Sequence, residues 1–102
     1  MSSREPEHLN NHHRDTLLQI FQHPTSHNID WQAVLSLLEA VGTVEPRHDG
    51  KYLIRLGGET EVFTRPRNKD IDVDAVHDLR RMLSAAGYES SVSRMEAEGK
   101  EV

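Results

Sequence analysis

No cysteine occurs anywhere in the 102 residues. That excludes disulfides, thiol catalysis and cysteine-ligated zinc, and it is compatible with a reducing compartment. No apolar run comes near the roughly 18 residues of a membrane helix, and the first residues carry no apolar signal-peptide segment. A soluble, cytoplasmic protein with no membrane partner is the expectation. Positive charge is also scarce, since twelve Lys and Arg against seventeen Asp and Glu leave a formal net charge of −5. This argues against coating nucleic acid by bulk charge, and no DNA binding is expected of this chain alone.

Strong catalytic or metal motifs are missing as well. His23 and His27 stand four apart, but Pro24 and polar loop formers intervene and no third ligand is placed by the sequence. Asp70, Asp72, Asp74 and Asp78 are read more simply as a helix N-terminus signal than as ligands of a metal hydrolase. Neither a metal nor another cofactor is expected.

What is present is a chain of one-domain length organised around Thr43–Arg65. Asp49-Gly50 and Gly57-Gly58 have the backbone freedom of two-residue primed hairpin turns. Between them, Lys51-Tyr52-Leu53-Ile54-Arg55-Leu56 is rich in strand formers and free of Gly and Pro. The pattern predicts a three-stranded antiparallel meander over about 43–48, 51–56 and 59–65. Pro46 cannot donate to a ladder, so the first strand belongs at an edge.

Helical stripes flank the meander. Leu17, Leu18 and Phe21, with Ile20, predict a helix over about 13–22 that ends before His23-Pro24. Asp30 reads as an N-cap, followed by Trp31, Val34, Leu35, Leu38 and Val41, with Gly42 as the C′ residue. Trp31 is read as a core anchor rather than a ligand platform. Asp72 caps a last helix with the stripe Val76, Leu79, Met82, Leu83 and Ala86, and Gly87 again suits C′. Arg80 and Arg81 in its second half complement its dipole, and His77, one residue off the stripe, reads as a surface imidazole. The expected architecture is α+β, α-α-β-β-β-α, with the helices packed on one face of the sheet. Residues 1–12 read as a disordered lead-in, 13–88 as a single domain and 89–102 as a disordered tail.

The turns also predict a register. With two-residue loops, His48 pairs with Lys51 and Leu56 with Glu59. Burying Arg55 unpaired under helices costs several kcal/mol, so Tyr52, Ile54, Leu56 and Phe63 are placed inward. The open face then carries His48, Lys51 and Arg55 around an apolar strip of Pro46, Leu53 and Val62. A one-residue slip in either turn reverses this assignment.

Charge is concentrated on the same stretch. Between Arg47 and Lys69 there are six cations, Arg47, Lys51, Arg55, Arg65, Arg67 and Lys69, against Asp49, Glu59 and Glu61. The sheet is the basic part of an acidic protein. Lys and Arg on strands also serve solubility, and that reading stands beside the functional one.

The α-β-β-β-α order resembles the layout of double-stranded-RNA-binding domains and of the HicA toxins, small mRNA interferases. The carrying residues are Leu37-Leu38-Glu39-Ala40-Val41-Gly42 before the first strand, then Arg65-Pro66-Arg67-Asn68-Lys69-Asp70-Ile71 and Leu79…Leu83-Ser84-Ala85-Ala86-Gly87-Tyr88. The resemblance covers about 30–88. It implies binding of mRNA and a HicB-like antitoxin as partner. In that family a catalytic histidine follows the glycine of the first hairpin; here Gly50-Lys51-Tyr52 puts Tyr52 there, or Lys51 after a slip.

Metal-free RNA cleavage needs a base for the 2′-hydroxyl and a cation for the phosphate. His48 is the candidate base, with Lys51 or Arg55 as the cation. Arg47, Lys51, Arg55, Arg65, Arg67 and Lys69 are the candidate RNA contacts, because duplex RNA is read mainly through phosphates and 2′-hydroxyls. The competing class is a protein-interaction module, either a homodimer or an antitoxin complex, using the apolar strip and the open edge of the third strand.

Overall fold

The computed structural model describes residues 9–89 and Val92. Its elements are α1 (Asn11–Phe21), α2 (Trp31–Val41), β1 (Thr43–Pro46), β2 (Lys51–Leu56), β3 (Glu59–Thr64) and α3 (Val73–Ala85). The strands form one antiparallel sheet in the order β1-β2-β3. This is the expected α+β order. The sheet's inner face contributes Ile54, Leu56 and Phe63 to a core completed by Leu17 and Ile20 of α1, Val34, Leu37 and Leu38 of α2, and Val76, Leu79, Met82 and Leu83 of α3. The helices therefore cover one face. On the other, Lys51, Arg55, Thr60, Val62 and Thr64 are exposed.

Each helix starts on a side-chain cap that satisfies an otherwise free first-turn amide. Asn10 accepts from the His13 amide, Asp30 from Ala33 and Asp72 from Ala75. Helix α1 begins two residues earlier than expected because Asn10 caps it, and Leu9 just before the cap is 7% exposed. The end of the supposed lead-in is thus part of the fold, and residues 1–8 lie outside the described residues. At the other end, Tyr88, Glu89 and Val92 are helical and Val92 is buried. A lone valine in a polar tail has no apolar period around it to mark it as a core residue. The rest of the expected tail lies outside the described residues.

Gly42 follows α2 as expected but not in the left-handed conformation of a C′ glycine, with φ −157° and ψ −143°. Its reason is contact, since a Cβ there would run into the Arg55 carbonyl of β2. Two arginines of α3 tie it to its neighbours. Arg81 bonds Glu61 of β3 at 2.8 Å and Asp78 at 3.3 Å, and these carboxylates, Glu61 first, raise its pKa above the ordinary value. Arg80 turns instead to the end of α1, where Nε donates to the Ile20 carbonyl and Nη2 to the Gln22 carbonyl. Arg80 thus complements the dipole of α1, not that of its own helix.

The second hairpin forms as expected, with Leu56 opposite Glu59. The first differs by one residue. Asp49 (φ 60°, ψ 35°) and Gly50 (φ 73°) make the primed turn, and the Lys51 amide donates to the His48 carbonyl. The return bond then skips a place, because the Arg47 amide, not that of His48, donates to the Lys51 carbonyl at 2.7 Å. Two residues of the first arm thus oppose one of the second, which is a β-bulge. The ladder beyond it pairs Pro46 with Tyr52, Glu45 with Leu53, Val44 with Ile54 and Thr43 with Arg55. The faces of β1 are consequently exchanged relative to the expectation. Val44 packs against the core, Pro46 leaves the open face, and the apolar strip there shrinks to half-buried Leu53 and Val62, which is 56% exposed.

Candidate functional site

The connector between β3 and α3 is held by backbone bonds at both ends. At its start the Arg65 amide donates to the Gly50 carbonyl at 2.8 Å, which continues the β2–β3 pairing into the turn. At its end the Trp31 amide donates to the Lys69 carbonyl at 2.7 Å and the Ile71 amide to the Ile29 carbonyl at 3.0 Å, around the Asp30–Asp70 bridge. The chain from Arg65 to Lys69 thus spans a gap between the first hairpin and the start of α2.

That gap is an open groove of about 710 Å³, lined by Trp31 and Gln32 of α2, Asp49 and Gly50 of the turn, and the connector from Arg65 to Lys69. Three of the expected contact residues, Arg65, Arg67 and Lys69, converge here, and Asp49 is the one carboxylate among the lining residues. Lys69 lies 3.4 Å from Asp70, with its side chain 77% exposed. Arg65 and Arg67 make no ion pair among the described residues. Two guanidinium groups with all their donors open are suited to bidentate recognition of phosphate.

Trp31 is the expected core anchor, 3% exposed, with the ring of Tyr52 edge-on at 5.4 Å and 72°. It is also a groove wall, a role the sequence did not suggest. Gln32, Asp49, Gly50, Pro66 and Asn68 were likewise outside the expected site. The signal for them would have been the clip between residues 29–31 and 69–71, a long-range pairing of segments with no strand pattern.

The other expected contacts, Arg47, Lys51 and Arg55, are exposed along the open sheet face. Arg47 takes the place opposite Lys51 that His48 was expected to hold. The two basic groups lie on opposite faces of the sheet and meet at the hairpin end, where Lys51 is the register partner of Thr64 and Arg65 is bonded to Gly50. His48 joins neither group. It is exposed in the bulge and turn, off the ladder, and it does not line the groove. The expected alignment of His48 with Lys51 and Arg55 on one ladder face is therefore lost to the bulge. Tyr52, at the position the HicA resemblance reserves for a histidine, belongs to the helix-covered side.

His23 and His27 are both exposed, and no group of three His, Asp or Glu side chains suited to a metal occurs among the described residues. Nor is any helix among them long and apolar enough to cross a membrane. No protein-family profile matches this chain, and no curated protein or solved structure matches it either.

Proposed function

We propose that this protein binds RNA through the groove and the adjoining basic sheet face, as a HicA-like chain that holds RNA without cleaving it. The observation that carries the reading is the convergence of Arg65, Arg67 and Lys69 on one groove whose backbone is fixed at both ends. A backbone already fixed has less freedom to lose on binding phosphates, and such contacts position a nucleic-acid backbone without reading bases. The α-β-β-β-α order from α2 to α3, shared with double-stranded-RNA-binding domains and HicA toxins, supports the same reading. Cleavage is left out of it because His48 stands apart from both basic groups.

The test is the salt dependence of RNA affinity. Each lost phosphate contact lowers the slope of log K against log salt by about 0.7 to 0.9. Arg67→Glu with Lys69→Glu is expected to weaken binding and flatten that slope; an unchanged affinity and slope sink the proposal.

A second reading has its own observation. Val62 is the exposed large hydrophobic residue among the described residues, it lies on the edge strand β3, and its register partner Leu53 sits beside it. An antitoxin-like partner or a second copy adding a strand there fits that edge. Nucleic-acid-free protein that runs as a dimer on sizing, and whose dimer is broken by Val62→Lys, favours it.

A further inference from the structure

We infer that the groove receives the terminal phosphomonoester of an RNA strand rather than an internal phosphate. The inference rests on the RNA reading and names which part of the strand the groove takes.

The basic track has an end. From the open sheet face it passes Lys51 and Arg47, rounds the hairpin end at Arg65, and continues through Arg67 to Lys69. Immediately beyond, the clip brings Asp30 opposite Asp70, and Asp72 and Asp74 follow at the start of α3. Three of these four carboxylates make local bonds, Asp30 with the Ala33 amide, Asp72 with the Ala75 amide and Asp70 with Lys69. These carboxylates repel a polyanion that follows the cations, so the favourable track for phosphates ends in the groove.

The groove's chemistry favours the end group over a chain link. Lys69 is paired with Asp70, so the groove's open positive charge is that of Arg65 and Arg67, with Asp49 the carboxylate among the lining residues. A phosphomonoester carries about −1.5 to −2 at neutral pH and three acceptor oxygens, whereas an internal diester carries a single charge. In the first turn of α2, Trp31 donates to Lys69 and Ala33 to Asp30, which leaves the Gln32 amide without an acceptor among the described residues. Gln32 also lines the groove. The volume lies within the roughly 300–1,000 Å³ of small-ligand sites, enough for one nucleotide unit. Trp31 is too buried to offer a stacking face, so recognition falls on the phosphate and not on the base.

The experiment uses the full chain and one short RNA sequence made with a 5′-phosphate, with a 3′-phosphate, or with hydroxyls at both ends. Affinity is read by anisotropy of an internal label, and location by the emission of Trp31, the single tryptophan. One phosphorylated form is expected to bind about tenfold more tightly than the hydroxyl form, the worth of one charge-assisted hydrogen bond. Its binding should shift Trp31 emission, and inorganic phosphate should erase the difference. Arg67→Gln or Lys69→Gln should weaken the phosphorylated RNA more than the hydroxyl-ended RNA, so that the preference between them falls toward unity. Equal affinity for all three RNAs, or a preference that leaves Trp31 emission unchanged, overturns the inference and leaves the RNA reading standing. No binding of any RNA overturns both.

Discussion

Arg80 Nε donates to the Ile20 carbonyl at 2.7 Å, a side-chain bond that joins α3 to the last turn of α1. The same guanidinium reaches the Gln22 carbonyl at 2.8 Å and Thr25 Oγ1 at 3.2 Å. One cation therefore satisfies several acceptors at a helix end where carbonyls have no intrahelical donors. Arg80→Ala is expected to cost about 1–3 kcal/mol, the range for bonds to a charged group at a partly exposed site. Denaturant unfolding measures it. Arg80→Lys should recover only part, because an ammonium lacks the planar fork. Equal stability of Arg80→Ala and the parent would show that the bonds of Arg80 add nothing to the packing that holds α1.

Two glycines should respond to alanine for different reasons. At Gly42 the added methyl meets the Arg55 carbonyl in the centre of the sheet, and overpacking of that kind costs about 1–3 kcal/mol. At Gly50 the nearest atom to an added methyl is Arg65 Cβ at 3.9 Å, so space is free, but φ is +73°. The left-handed conformation costs an L-residue about 1–2 kcal/mol. Asparagine at position 50 should recover much of that loss, whereas asparagine at 42 should be worse than alanine. Thermal unfolding of the four variants separates the two causes.

The sidedness of the sheet is tested by a pair of substitutions. Ile54 is fully buried and Val62 is 56% exposed. Ile54→Ala is expected to lose about 2–5 kcal/mol. Val62→Thr should change stability by no more than about 0.5 kcal/mol. Comparable losses at both positions would mean that the open face is covered.

Much of this fold was legible in the sequence, and the parts that were not share a cause. Caps at Asp30 and Asp72, the stripes of α2 and α3, and the Gly57-Gly58 turn depend on neighbours within a few residues, and each is where its local chemistry puts it. The inward set of β2, with Phe63, followed from the cost of burying Arg55. The register of β1 did not follow, because the Asp49-Gly50 turn forms as expected while the bulge beside it has no residue signature. For the site, Arg65, Arg67 and Lys69 could be named from charge alone. That they face Trp31 and Gln32 depends on the Asp30–Asp70 bridge, a pairing about forty positions apart that no local pattern encodes.

The bulge at Arg47–His48 means that one residue of the first hairpin is surplus to its ladder. Removing His48 would leave Arg47 beside Asp49, closing an ordinary two-residue turn against Lys51 with every pair from Pro46–Tyr52 onward unchanged. A chain lacking His48 is therefore expected to keep its fold, within about 1 kcal/mol by denaturant unfolding, and to keep its basic face. A one-residue deletion between Pro46 and Tyr52 that shifts the ladder should instead turn Val44 out into water and draw Glu45 inward. In this hairpin the pairing of Arg47 with Lys51, not the number of residues in the loop, decides which way β1 faces, and His48 is the residue it can spare.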